Sequence, residues 1–126
     1  NMDVAYAFNR KEVKDHGEGG LIVGHPLEGR ILIIDDVITA GTAMREAHQL
    51  VSATDAAVAG LVISLDREER GQGDLSAVQE VESSLGIPVV SIVSLDDLVE
   101  RLAEAGEYEE WLDPVMDYRR RYGVLT

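Results

Sequence analysis

The stretch Ile31 to Glu46, ILIIDDVITAGTAMRE, restricts this chain more than any other part of it. Ile31 to Ile34 is an unbroken β-branched and leucine run, which reads as a central strand covered on both faces. The run delivers two adjacent carboxylates, Asp35 and Asp36, and then a set of small residues that opens a helix. From there the apolar positions Ala43, Ala47, Leu50 and Val51 fall on one helical face. A buried strand turning through a glycine-bearing loop into an amphipathic helix is the first half of a βαβ unit.

The rest of the chain repeats that alternation. Val58 to Leu65 reads as a strand, DREERGQGD as a polar connection, and a helix follows from about Leu75 with Leu75, Val78, Val81 and Leu85 inward. Pro88 opens another strand, PVVSIVS, and Leu98, Val99, Leu102 and Ala103 line the helix after it. Glu107 to Gly123 reads as one more helix, interrupted or restarted at Pro114, with Trp111 and Tyr118 as packing anchors. Upstream, Val4 to Phe8 is expected to be a short buried strand and Leu21 to Gly24 a hairpin arm. Between them NRKEVKDHGEGG, rich in charge and ending in glycines, is expected to be a mobile loop. The expected fold class is therefore α/β, a mostly parallel sheet flanked by helices, with residues 1–126 forming a single domain.

Composition narrows the function. The chain has 126 residues, 45% hydrophobic and 28% charged, which is the balance of an ordinary globular domain. No apolar run is long enough to cross a membrane. Cysteine is absent, which removes disulfides and thiolate metal sites and fits a reducing cytoplasm. A formal charge of −13 argues against nucleic acid as partner, since such binding needs a positive footprint. The exception is local: the chain's lysines, Lys11 and Lys14, fall with Arg10 and His16 in one short window, an arrangement suited to steering a small anion.

The carboxylates and the loop after them define the chemistry. Open α/β sheets bind ligands at the C-terminal ends of their strands, where Asp35 and Asp36 stand. The free N–H groups of Thr39, Ala40, Gly41, Thr42 and Ala43, two hydroxyls and the helix dipole make a cradle for one phosphate dianion. It is not a Walker loop, because no lysine follows the glycine. Carboxylates beside a phosphate cradle fit a ligand that carries hydroxyls or a metal next to its phosphate, as a ribose phosphate does. The plain alternative is a tight turn whose aspartates only cap the helix.

ILIIDDVITAGTA resembles the phosphoribosyl-diphosphate motif of the type I phosphoribosyltransferases, and FNRKEVKDHGEGG and ISLDREERG resemble the orotate phosphoribosyltransferases among them. The resemblance runs from about Ala5 to Gly123. It implies a transferase that moves ribose 5-phosphate from 5-phosphoribosyl 1-diphosphate to orotate, in pyrimidine synthesis, with Mg²⁺ as cofactor. It implies that Asp35 and Asp36 contact the ribose hydroxyls and organise Mg²⁺ through water, that Thr39 to Ala43 hold the 5-phosphate, and that Val37 and Ile38 belong to the same phosphoribosyl-diphosphate-binding segment. Arg10, Lys11, Lys14 and His16 would close over the diphosphate, Lys14 and His16 acting in catalysis, in a homodimer whose basic loop reaches the neighbouring site. Arg67, with Thr39, would meet the orotate base, whose carboxylate suits a guanidinium. Glu68, Glu69 and Arg70 are expected at the solvated surface. The Arg119 to Arg121 run reads as compensation of a helix dipole or as a partner contact.

The family's chain begins well before Val4, with a segment that builds part of a hood over the base, and Asn1 stands here directly before a methionine. The expectation is a core without its N-terminal hood, showing little turnover by itself. Two other readings remain open at this level: a binding-only domain that senses a nucleotide, and an inactive fragment that keeps the scaffold.

Overall fold

The computed structural model describes residues 2–10, 21–106 and 108–124. Two sheets form. A short antiparallel pair joins β1 (Ala7–Asn9) to β2 (Ile22–Gly24), and three parallel strands follow in the order β3 (Arg30–Asp35), β4 (Ala57–Asp66), β5 (Val89–Ser94). The crossovers are α1 (Thr42–Ser52) and α2 (Ala77–Leu85), and α3 (Leu95–Ala105) and α4 (Glu109–Tyr122) complete the chain. This is the α/β class with a parallel sheet that the alternation predicts.

The two crossovers step in one direction along the sheet and pack against each other, so both helices lie on the same face. There Leu61 and Ile63 of β4, at 1% and 0% exposure, meet Met44 of α1 and Ala77 and Val81 of α2, with Ile38 and Ile87 closing the ends. Each of these side chains larger than alanine contributes about 1.5–3 kcal/mol by leaving water. The opposite face lacks a cover among the described residues. Leu32 and Ile34 of β3 and Val90 and Ile92 of β5 remain 54%, 73%, 58% and 72% exposed, and Ile34 and Val90 flank Val62 in register.

Several expectations change accordingly. Among the described residues Ile31 to Ile34 is not a central strand covered on both faces but an edge strand covered on one, because only β4 pairs with it there. Val4 to Phe8 is strand only from Ala7 onward and is not buried: Val4, Tyr6 and Phe8 are exposed, as nothing among the described residues forms a layer over that side of the two-strand ribbon. Ala43, Leu75, Leu98 and Ala103 also face outward. In α1 the buried stripe runs through Met44 and Val51 instead, and Leu75 precedes the helix whose N-cap is Ser76. Tyr118 is half-buried, but Trp111 is exposed and stands outside the core cluster of the described residues.

The tail helix is continuous through Pro114. Proline leaves the Glu110 carbonyl without its intrahelical partner, which water can satisfy because both residues are exposed. The hairpin arm at Leu21 to Gly24 forms as expected. The loop expected over NRKEVKDHGEGG falls mainly on 11–20, outside the described residues.

Two helices carry their own N-terminal caps. Ser76 exchanges hydrogen bonds with Gln79 at the start of α2, and Ser94 does so with Asp97 at the start of α3. Helix α1 starts differently: its N-cap is Gly41, in the left-handed region at φ 70°, and no side chain among the described residues caps it.

Candidate functional site

Asp35 ends β3 half-buried and Asp36 is exposed just beyond it. Each carboxylate uses one oxygen locally: Asp35 Oδ1 accepts the Asp36 N–H at 2.9 Å, and Asp36 Oδ1 accepts the Val37 N–H at 2.6 Å. Neither reaches the start of α1, so the reading in which the pair only caps the helix fails. The second oxygen of each has no hydrogen-bond partner among the described residues and is available to a ligand.

The backbone between them and the helix is held from below. The Asp36 carbonyl accepts N–H groups of Ser64 at 2.9 Å and Leu65 at 3.2 Å, locking the loop onto the end of β4. Ile38 is buried in the core, and Arg45 Nη1 donates to the Ala40 carbonyl at 2.7 Å. With the floor pinned in this way, Thr39, Ala40, Thr42 and Ala43 are exposed, and Gly41 is buried against Val81 of α2. The uncapped end of α1 thus presents backbone donors and the positive end of its dipole beside two carboxylates.

Arg67 lies directly after β4, two residues beyond Leu65, so the clamp on the Asp36 carbonyl also brings the arginine to the carboxylate end of the sheet. Its side chain is about one-third exposed, and Nη2 pairs with Glu69 Oε2 at 3.2 Å. Arg10 is half-buried, its N–H donating to the Leu21 carbonyl at 2.7 Å. Lys11, Lys14 and His16 lie outside the described residues. Of the predicted site residues, the structure therefore brings together Asp35 to Ala43 and the Arg67 segment.

Glu68 and Glu69 are not solvated surface residues as expected. Both are half-buried, because the segment is stitched to the end of α4. Glu69 bridges Gly123, Arg70 donates its N–H to the Tyr122 carbonyl at 2.8 Å, and Val124 donates to the Glu68 carbonyl at 3.0 Å. Glu69 also accepts the Tyr118 hydroxyl. Beside this junction is an open cavity of about 290 Å³, lined by Asp66, Glu68, Asp74, Ser76, Gln79 and Arg119 among others. Three of those groups are carboxylates, which is the wrong sign for a phosphate, so the cavity is not the cradle. The Arg119 to Arg121 run has its own partners: Arg119 pairs with Asp96 at 2.5 Å, Arg120 with Asp117, and Arg121 lies 5.3 Å from the Tyr122 ring centroid.

Burial pushes the Glu68 carboxyl above its ordinary value; Asp96 and Asp66 add to this and Arg119 opposes it. Folded chain thus holds that proton to higher pH than unfolded chain, so this contribution to stability falls as pH rises from the ordinary glutamate range through the raised value. Asp97 has the opposite sign, since the Ser94 N–H and hydroxyl hold its carboxyl low and its contribution is lost on acidification. Glu68→Gln is expected to raise Tm at about pH 7 and to leave it nearly unchanged at about pH 3. Thermal melts across that range check it; an equal shift at both pH values would assign the change to packing.

No protein-family model matches the chain. It is 61% identical over 123 residues to the orotate phosphoribosyltransferase of Nitrosococcus oceani, covering 97% of this chain and 56% of the relative. It is 59% identical over 122 residues to that of Pseudomonas aeruginosa, covering 97% of this chain and 57% of the relative. Among solved structures, the orotate phosphoribosyltransferase of Francisella tularensis superposes with a TM-score of 0.77 at 35% identity, over 97% of this chain and 57% of that one. The chain thus spans little more than half the length of the relatives it matches.

Proposed function

We propose that the chain belongs to the orotate phosphoribosyltransferases, which it resembles in sequence and fold, and that its natural polypeptide transfers ribose 5-phosphate from 5-phosphoribosyl 1-diphosphate to orotate. In this reaction the bond from ribose C1 to the diphosphate oxygen breaks and the diphosphate leaves with the electron pair. A ring nitrogen of orotate bonds to C1 and loses its proton, giving orotidine 5-phosphate.

The observation that carries the reading is the junction between β3 and α1. Paired carboxylates, each with an uncommitted oxygen, stand beside an uncapped helix N-terminus whose floor is locked to the strand that leads into Arg67. The N-terminal end of α1 receives the 5-phosphate through backbone donors of Thr39 to Ala43. Asp35 and Asp36 receive the ribose hydroxyls.

Two carboxylates also fit Mg²⁺, which keeps most of its waters and binds through one or two carboxylates together with substrate phosphates. Mg²⁺ would neutralise charge on the departing diphosphate. Arg10, Lys11, Lys14 and His16 are assigned to the same diphosphate on the resemblance alone, in a homodimer. Arg67, with Thr39, is assigned to the base, a guanidinium matching the orotate carboxylate in charge and geometry.

The test is orotate consumption by the natural polypeptide, with and without 5-phosphoribosyl 1-diphosphate. Consumption that requires the diphosphate donor is expected, and its absence would remove the reading. Within that assay Arg67→Ala should raise the KM for orotate by about 10²-fold, the scale of a lost charge-assisted contact, while the KM for the donor changes little. If both constants rise together, Arg67 is not a base-side residue.

A further inference from the structure

We propose that Tyr118 and Glu69 are positioning residues for Arg67, so that the C-terminal helix sets the orientation of the base-recognising guanidinium; this rests on the assignment of Arg67 to orotate. The two oxygens of Glu69 are divided between two partners. Oε2 takes Arg67 Nη2 at 3.2 Å and Oε1 takes the Tyr118 hydroxyl from α4. A carboxylate held at both oxygens cannot swing, and the guanidinium paired with it loses its rotational freedom as well.

The backbone around the pair is fixed from three directions. Glu69 bridges Gly123, its carbonyl accepts the Ala77 N–H at the start of α2 at 2.9 Å, and Arg70 donates to Tyr122 at 2.8 Å. Tyr118 is itself braced by Tyr122, ring centroids 5.0 Å apart. Glu69 engages one edge of the guanidinium. Arg67 Nε is buried without a hydrogen-bond partner among the described residues.

An unbraced arginine would retain several rotamers and lose affinity in ordering only one of them on binding. The brace removes that ordering step in advance.

Tyr118→Phe removes the hydroxyl and keeps the ring. In the natural polypeptide it is expected to raise the KM for orotate about tenfold, the scale of one hydrogen bond to a charged group, with the donor KM within about twofold of its starting value. Glu69→Gln keeps an acceptor for Tyr118 and loses the ion pair; its expected effect on the orotate KM is in the same direction, with Glu69→Ala larger than either. Titration calorimetry with orotidine 5-phosphate and with 5-phosphoribosyl 1-diphosphate gives a readout independent of turnover, in which only the first ligand should weaken.

An unchanged orotate KM in Tyr118→Phe, with the parent active on orotate, overturns the proposal while leaving the proposed reaction intact. A parent inactive on orotate overturns the underlying reading instead. A variant in which both KM values rise and Tm falls places Tyr118 in the scaffold, which also overturns the proposal.

Discussion

Asp35→Asn combined with Asp36→Asn is expected to lower turnover of the natural polypeptide by about a thousandfold or more while the fold survives. Removing one preorganised electrostatic group from a reaction centre commonly lowers turnover by two to three orders of magnitude, and this pair removes two. The structure explains why stability should be spared. Each aspartate makes one local hydrogen bond, through an oxygen that asparagine also has, to the next residue's N–H. Neither carboxylate enters the hydrophobic core, and neither caps α1. Steady-state rates beside circular dichroism and a thermal melt check both halves. Near-native turnover would take the carboxylates out of the reaction, and a collapsed melt would show that they hold the loop.

How much of this was legible beforehand depends on sequence distance. The segment Asp35 to Ala43 is contiguous, so its strand, its carboxylates and its helix start can be read directly from residue types and order. The location of β3 within the sheet cannot. An apolar run such as ILII reads alike in a central strand and in an edge strand, because periodicity reports apolarity and not which neighbours are present. Leu32 and Ile34 are apolar and exposed, and no local feature of the sequence distinguishes them from Ile33, which packs against the core.

The brace on Arg67 was hidden for a related reason. Tyr118 and Glu69 are 49 residues apart, and their contact exists only because the end of α4 pairs with the segment after β4 in one register. Charged residues in a polar connection ordinarily read as solvated, as Glu68 and Glu69 did. What overrode that prior was tertiary pairing of backbone groups, which has no compositional signature. The helices show the converse. Ser76 with Gln79 and Ser94 with Asp97 are local capping pairs, visible three residues apart, and they form where such pairs should.

Gly41 offers the sharpest test of how the cradle is built. Its φ of 70° lies in the left-handed region, and a Cβ added there would stand 2.6 Å from Val81 Cγ2 and 3.1 Å from Arg45 Nη1. Val81 is 1% exposed in the core of α2 and has little room to retreat. Gly41→Ala therefore combines two costs, about 1–2 kcal/mol for the left-handed backbone and about 1–3 kcal/mol for overpacking. At this chain length the sum corresponds to a fall in Tm of roughly 10 °C or more. It should also tilt the start of α1 and weaken binding of inorganic phosphate and of the phosphorylated donor together, because both meet the same N–H groups. Gly86→Ala is the matched control: φ there is 64°, but nothing lies within 4 Å of the added carbon. Only the backbone cost applies to it, and its Tm should fall by about half as much or less. Equal losses in the two variants would mean that contact with Val81 contributes nothing and that α2 does not define the floor of the site.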